Sequence, residues 1–116
     1  MDVIRFEGGQ WKTMMNTENW RIGFLGYGER FSKFAELERH NKTDEAFMLL
    51  SGTATLYENE TPAVMEKGVV YNIPRGTWHH IVVSEDAVVI VVENSDTSMD
   101  NSERISLEEY RKGAHA

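Results

Sequence analysis

The side chains that could carry out chemistry in this sequence are histidines and carboxylates. None of the 116 residues is a cysteine, so a metal site must be built from His, Asp or Glu. His40 and Glu45 are close together in the sequence, and His79 follows later. If the faces that carry these residues point into one barrel, two imidazoles and one carboxylate converge at its mouth. Such donors suit Fe(II), and they also bind Mn, Ni and Zn.

Alternation along a strand decides which neighbours of these residues share a face. Glu38 lies on the same side of its strand as His40, so Glu38 is either a further ligand or a residue that orients His40. His80 has the opposite parity to His79 and is expected to face the other sheet or solvent. A buried Glu45 would be costly unless it is paired or metal-bound. A histidine without such a setting is more often an ordinary hydrogen-bonded residue.

Short strands must position these side chains. Runs of β-branched and aromatic residues, separated by Gly, Pro, Asn and Asp, recur about every ten residues, which is typical of an antiparallel sandwich or barrel. The chain is long enough for one core, so we expect a single domain over residues 1–116. The predicted strands are residues 3–6, 20–25, 33–39, 45–50, 53–58, 63–65, 69–73, 78–83 and 87–93.

Turn-forming residues predict which strands are neighbours. Ser51-Gly52 and the region of Asn59-Glu60 each predict a tight turn between paired strands. Residues 84–86 separate two further apolar segments that should also pair. Residues 88–92 are all apolar, so both faces of that strand should be covered, one of them by a second copy of the chain.

The C-terminal part of the sequence is more polar. Residues 94–103 are rich in turn formers and predict a surface excursion. Ser106 is a candidate N-cap with Glu108 and Glu109 in the first turn, which predicts one short helix before Gly113.

The charge and hydropathy pattern argues against several partners. The formal net charge of −7 disfavours nucleic acid and anionic membrane surfaces, although Arg21, Arg30 and Arg75 could form a local site for a small anion. No apolar run is long enough for a signal peptide or a membrane span, so we expect a cytoplasmic protein.

Two segments resemble the paired motifs of the cupin family, and together they cover residues 38–83. In the first motif, about residues 38–52, His40 is followed after four residues by Glu45 and after six more by Gly52. Glu38 stands where the family has the first histidine of a His-x-His pair.

The second motif spans about residues 68–83. Gly68, Pro74, Gly76 and His79 keep the spacing of the family, whereas Val83 stands where the family has asparagine. The resemblance implies an all-β double-stranded β-helix, or jelly roll, here with a short C-terminal helix. It also implies a divalent transition metal (Fe, Mn, Ni or Zn) held by His40, Glu45 and His79, with Glu38 as a further candidate.

The resemblance further implies a homodimer and a small-molecule ligand of the sugar or small organic acid class. Many cupins are metal-dependent enzymes, and others are non-catalytic binding or sensing modules with or without metal, so both functions remain open. Aromatic and cationic side chains are candidates for lining the substrate pocket: Phe34, Phe47, Tyr71, Arg75 and Trp78. Core packing for the aromatic residues, and an exposed turn for Arg75, are the alternative interpretations.

Overall fold

Two antiparallel sheets face each other across one core. The computed structural model describes residues 1–96 and 101–114, which form the sheets β1-β2-β9-β4-β7 and β10-β3-β8-β5-β6. The strands are β1 (Trp11–Asn16), β2 (Trp20–Gly26), β3 (Glu36–His40), β4 (Glu45–Ser51), β5 (Ala54–Glu58), β6 (Thr61–Val64), β7 (Val70–Ile73), β8 (His79–Val83), β9 (Val88–Asn94) and β10 (Ser102–Ser106). This is the expected jelly-roll architecture.

Strand alternation places the core between the sheets. In β9, Val89 and Val91 are fully buried, whereas Val88, Ile90 and Val92 point to the outer face of the first sheet and are half-buried. The inward residues of β4, β5 and β8 complete this core. The same inward face carries the polar site at one end of the barrel.

Two of the predicted strand pairings are wrong. β4 pairs with β7 and β9, and β5 pairs with β6 and β8, so the turn at Ser51-Gly52 passes from one sheet to the other. The turn between β8 and β9 does the same. The two turns pack together, since Thr53 N donates to Ser84 Oγ at 2.9 Å and Ser84 N to Thr53 O at 2.9 Å. Turn residues fix a local reversal, but the sheet that each strand joins is fixed by long-range pairing.

The hairpin predicted near Asn59-Glu60 is confirmed. Glu58 of β5 is paired with Thr61 of β6, which leaves a two-residue loop. Asn59 has a φ of 53°, which asparagine tolerates better than most residues.

Differences from the predicted strands lie mainly at sheet edges. Residues 3–6 form no strand, and β1 and β10 were not predicted. β1 is half-exposed and has a bulge between Thr13 and Met15. In β10 the residues alternate only weakly between buried and exposed, because this strand borders only β3. Of the predicted surface excursion, residues 97–100 lie outside the described part, but Asn101 is fully buried and β10 begins at Ser102.

The predicted C-terminal helix is present and short. Ser106 caps α1 (Leu107–Glu109) by accepting a hydrogen bond from Glu109 N at 3.1 Å. The chain then continues as a wider turn through Gly113, whose φ is 102°. Tyr110 packs into a small second cluster with Leu37 and Trp78. None of the helices in the described ranges is long and apolar enough to cross a membrane.

Candidate functional site

Four central strands bring histidines and carboxylates together inside the barrel. In the first sheet, Glu45 of β4 is directly opposite Glu93 of β9. In the second sheet, Glu38 of β3 is directly opposite His79 of β8, and His40 follows two residues after Glu38. The site is therefore assembled from one cross-strand pair in each sheet.

His40 and Glu45 lie at the centre of this cluster. Glu45 Oε1 is 2.7 Å from His79 Nε2 and 3.4 Å from His40 Nε2. His40 Nε2 also lies 3.6 Å from Glu38 Oε1 and 3.7 Å from Glu93 Oε2. The structure thus places the three predicted ligands His40, Glu45 and His79 side by side, and all three are buried.

Partners outside the cluster hold both imidazoles by their Nδ1 atoms. His79 Nδ1 lies 3.0 Å from Thr77 O, and it must be the donor because a carbonyl oxygen only accepts. His40 Nδ1 lies 2.8 Å from Ser102 Oγ. Both Nε2 atoms therefore point at carboxylates, and the outer partners hold the rings in this orientation, as is usual for metal-binding histidines.

Glu93 is bound from one side by Arg21. Arg21 Nε and Nη2 both donate to Glu93 Oε1, at 2.9 and 2.6 Å. Burial and the adjacent carboxylate of Glu45 raise the pKa of Glu93 to about 8, although Arg21 acts in the opposite direction.

The charges of the other two central residues are coupled. Burial disfavours the charged form of Glu45, but the imidazoles of His40 and His79 lower its pKa well below the ordinary value. Burial also disfavours the charged form of His40, yet the carboxylates of Glu45, Glu38 and Glu93 raise its pKa. The carboxylates around His40 Nε2 therefore favour a positive charge at the centre of the cluster.

Glu38 lies nearer the mouth of the barrel than Glu93. Its Oε2 is 3.3 Å from both Arg30 and Arg104, and its side chain is 20% exposed. Arg30 also contacts Glu36 at 3.2 Å. These arginines neutralise Glu38 from the solvent side.

The cluster opens into a cavity of about 630 Å³, a volume suited to a small organic molecule. The cavity has an apolar wall and a charged mouth. The apolar residues that line it include Leu25, Phe31, Phe47, Ile81 and Val91, and the charged residues at its mouth are Arg21, Arg30, Glu38 and Arg104, beside Trp11.

Of the five residues predicted for the substrate pocket, Phe47 lines this cavity and four do not. Phe34 stacks on Tyr57 with ring centroids 4.2 Å apart, and Trp78 is buried in the second cluster. Tyr71 is directly opposite Phe47, but it belongs to the edge strand β7, and its hydroxyl accepts from Glu66 N at 2.9 Å.

Arg75 is the fourth of these residues. Its side chain is 67% exposed, and it lies on the turn before β8 with its backbone N donating to Asp44 Oδ1 at 3.0 Å. This contact holds the turn that precedes His79. The Pro-Arg-Gly sequence therefore positions β8, and the Arg75 side chain does not line the cavity.

His80 does not join the histidines of the cluster. Its Nε2 donates to Lys33 O at 3.0 Å, and its ring lies 5.9 Å from the rings of both Phe31 and Phe34. It was expected to face the other sheet or solvent, and the structure buries it beneath the segment that precedes β3. Burial lowers the pKa of His80, so the ring is neutral at physiological pH.

The donor set fits a divalent transition metal. Two ligand atoms bound to one such ion at about 2.1 Å are roughly 3 to 3.5 Å apart, close to the separations around His40 Nε2 and Glu45 Oε1. Among the described residues, His40 Nε2 and Glu93 Oε2 are buried without a hydrogen-bond partner. His40, Glu45 and Glu93 offer ligand atoms within 4.8 Å of one another, and so do Glu38, His40 and His79.

Sequence reasoning did not identify Glu93 or Ser102 as part of the site. Glu93 has the same parity as the fully buried Val89 and Val91, so a carboxylate on the inward face of an apolar strand was the available signal. Ser102 lies in a polar segment whose strand character appears only through its pairing with β3. Arg21 was predicted only as a possible anion contact.

Comparisons with known proteins agree with this architecture. Pac13, a nucleoside dehydratase, is 10% identical, and 83% of this chain aligns with 77% of that chain at a TM-score of 0.69. KdgF from Halomonas sp. is 15% identical over 85% and 90% of the two chains, with a TM-score of 0.62. A cupin-2 domain containing protein from Shewanella frigidimarina NCIMB 400 is 19% identical over 72% and 78%, with a TM-score of 0.59.

At these identities the structural likeness establishes the fold. No curated protein sequence matches this chain significantly. A family profile described as a cupin domain matches residues 32–93, more than half of the chain. This stretch contains β3 to β8 and most of β9, with every histidine and carboxylate of the cluster. The chain therefore belongs to the cupin domain family.

Proposed function

We propose that this protein binds one divalent transition metal through His40, Glu45 and His79 and holds a small organic molecule against it in the cavity. The observation that carries this proposal is the orientation of the two imidazoles. In each ring, Nδ1 is hydrogen-bonded to a partner outside the cluster, and Nε2 is directed at buried carboxylates. Fe, Mn, Ni and Zn all accept these donors.

The surrounding residues have separate tasks in this proposal. Thr77 O and Ser102 Oγ orient the two imidazoles, and Glu45 supplies an ionised oxygen between them. Phe31 and Ile81, on the apolar wall, keep water away from one side of the ligand. A bound metal would supply Lewis-acid polarisation of a carbonyl, activation of water or, with iron, activation of dioxygen.

The cavity lining supports a ligand that combines polar groups with some apolar surface. Arg30 and Arg104 at the mouth can contact a carboxylate or hydroxyl groups, and the apolar wall can contact a carbon skeleton. A sugar or a small organic acid has this chemistry. A structure of the similar Streptomyces protein PAC13 is described as being with uridine, a small organic molecule, which supports a small-molecule ligand here.

A metal-free binding barrel is the second candidate. The direct contact of 2.7 Å between His79 Nε2 and Glu45 Oε1 favours it, because a proton between these atoms satisfies both without an ion. The protein would then bind a small molecule without catalysing a metal-dependent reaction. The two functions differ in whether the purified protein retains metal.

Metal content after controlled loading tests the proposal. Protein stripped with a chelator is incubated anaerobically with Fe(II), Mn(II), Ni(II) or Zn(II), desalted and analysed for metal. We expect about one equivalent of at least one metal in the wild type. His40→Ala should retain almost none, and Glu85→Ala, which alters an exposed acidic residue on the turn between β8 and β9, should behave like the wild type. A wild type that retains no metal would favour the metal-free barrel.

We also propose that the protein is a homodimer, paired through the outer face of the first sheet. This outer apolar face consists of Ile22, Phe24, Met48, Val70, Val88, Ile90 and Val92. Five strands about 4.8 Å apart and about six residues long cover roughly 500 Å² in projection. Because side chains project from the sheet, the accessible area of this face is larger than its projected area. It therefore approaches the roughly 800 Å² per partner that is typical of stable interfaces.

The mass in solution tests the dimer. We expect sedimentation at micromolar concentration to give twice the 13.3 kDa of one chain. Val70→Lys places a charge on the outer apolar face, where Val70 is 60% exposed, and should shift the equilibrium toward the monomer. Val64→Lys is the matched control, because Val64 is 74% exposed but lies on the other sheet. A wild-type mass of one chain would contradict the prediction.

A further inference from the structure

We propose that Glu93, positioned by Arg21, is the fourth protein ligand of the metal, rather than Glu38. This inference rests on the proposed metal site and concerns how that site is completed. It follows from the register of β4 and β9, from two buried atoms without partners and from the different surroundings of the two candidate carboxylates.

The register of the first sheet places two carboxylates face to face. Glu45 and Glu93 are directly opposite on the inward side of β4 and β9, and both are buried. Like charges in this arrangement destabilise a sheet unless something neutralises them. Arg21 contacts only the outer oxygen of Glu93, so it leaves the space between the two carboxylates uncompensated. A divalent cation in that space removes the conflict.

Two atoms face this space without partners. Glu93 is 5% exposed, and its Oε2 has no hydrogen-bond partner among the described residues. The same holds for His40 Nε2, which lies 3.7 Å from Glu93 Oε2. Buried polar atoms of this kind are costly and uncommon in folded proteins. A metal bound by both atoms would satisfy them together.

The other candidate, Glu38, has less need of a metal. Its Oε2 is bound by Arg30 and Arg104, so two cations share its charge. Its side chain is 20% exposed against 2% for Glu93, so water can reach its remaining oxygen. Glu38 Oε1 is 3.6 Å from His40 Nε2, and distance alone does not separate the two candidates. The difference in burial and neutralisation favours Glu93.

Arg21 acts as a positioning residue in this arrangement. Both of its hydrogen bonds fall on Oε1, which turns Oε2 of Glu93 toward His40. The guanidinium lies 5.7 Å from the centre of the Trp11 ring, so the arginine is itself held in place. Loss of an outer partner of this type typically weakens metal affinity about 10- to 100-fold.

Metal affinity of matched carboxamide variants tests the inference. The dissociation constant for Co(II) is measured by competition with a chromophoric chelator, and the visible spectrum of bound Co(II) reports the ligand set. Glu93→Gln should weaken binding at least roughly tenfold and change the spectrum. Glu38→Gln should stay within about threefold of the wild type with an unchanged spectrum. Arg21→Gln should weaken binding roughly tenfold.

The outcomes separate this inference from the proposed function. If Glu38→Gln loses affinity and Glu93→Gln does not, or if neither loses it, the inference is overturned while the metal site stands. If the wild type binds no Co(II), both the inference and the proposed function fail. If Glu93→Gln does not fold, Glu93→Asp and Glu38→Asp take its place. Wild-type affinity and spectrum in Glu93→Asp would then overturn the inference.

Discussion

Replacing His79 with alanine is expected to weaken metal binding at least roughly 100-fold. In structural zinc sites with four ligands, each ligand contributes about 3 kcal/mol to the binding free energy, so the loss of one ligand has an effect of this size. The variant also leaves the ionised Glu45 without its contact of 2.7 Å. The measurement is the dissociation constant for the metal that the wild type retains, together with circular dichroism to show that the variant is folded. Binding within about threefold of the wild type would contradict a ligand role for His79.

His80→Ala is the matched control for this prediction. The two histidines are adjacent in β8 and buried to the same degree. The Nε2 of His80, however, is hydrogen-bonded to Lys33 O instead of facing a carboxylate. We expect His80→Ala to keep the metal affinity. It should nevertheless lower stability by about 1 to 3 kcal/mol, since it removes a buried ring that packs on Phe31 and Phe34. An equal loss of affinity in both variants would mean that general loosening of β8, rather than ligand removal, causes the effect.

Replacing Gly52 with alanine is expected to destabilise the fold by about 3 kcal/mol. The new Cβ would lie 2.6 Å from Ala87 Cα and 2.7 Å from Ala87 N, and backbone atoms cannot move away without shifting the β8–β9 turn. The φ of 72° at Gly52 adds about 1 kcal/mol of strain for any other residue. Denaturant unfolding monitored by circular dichroism measures the loss.

Gly68→Ala separates strain from steric clash. Gly68 has a φ of 81°, but no atom lies within 4 Å of a Cβ built there. We therefore expect about 1 kcal/mol of destabilisation from the backbone conformation alone. If both variants lost the same stability, the close approach of the two turns at Gly52 would not contribute.

The Gly52 contact shows how distant turns help to hold the candidate site. The turns after β4 and β8 meet at one end of the barrel, and the cluster lies at the other end of the same strands. Glu45 and His79 belong to different sheets, and their contact exists only while the sheets are packed together. We therefore expect metal binding to be lost in any variant that separates the sheets.

Local patterns predicted most strands near their observed positions. The segments that contain β4, β5, β8 and β9 are short runs rich in β-branched, aromatic or other apolar residues between turn formers, and this pattern was sufficient to locate the strands. The edge strands β1 and β10 were missed because their sequences, WKTMMN and SERIS, are largely polar or lack alternation, whereas the edge strands β6 and β7 were predicted. Residues 3–6 have strand-like composition but no partner strand in the structure.

The sequence by itself determined the family, the fold class and the three residues proposed as metal ligands. Those features depend on residue types at fixed spacing, which local backbone geometry converts into turns and faces. Only the tertiary structure decided which strands pair, that Glu93 joins the cluster, and that Phe34, Tyr71, Arg75 and Trp78 lie away from the cavity. The physical reason is that pairing and convergence are set by contacts between residues far apart in the chain. Four strands, β5 to β8, lie between β4 and β9 in the sequence, and nothing in the local sequences around Glu45 and Glu93 selects the pairing observed.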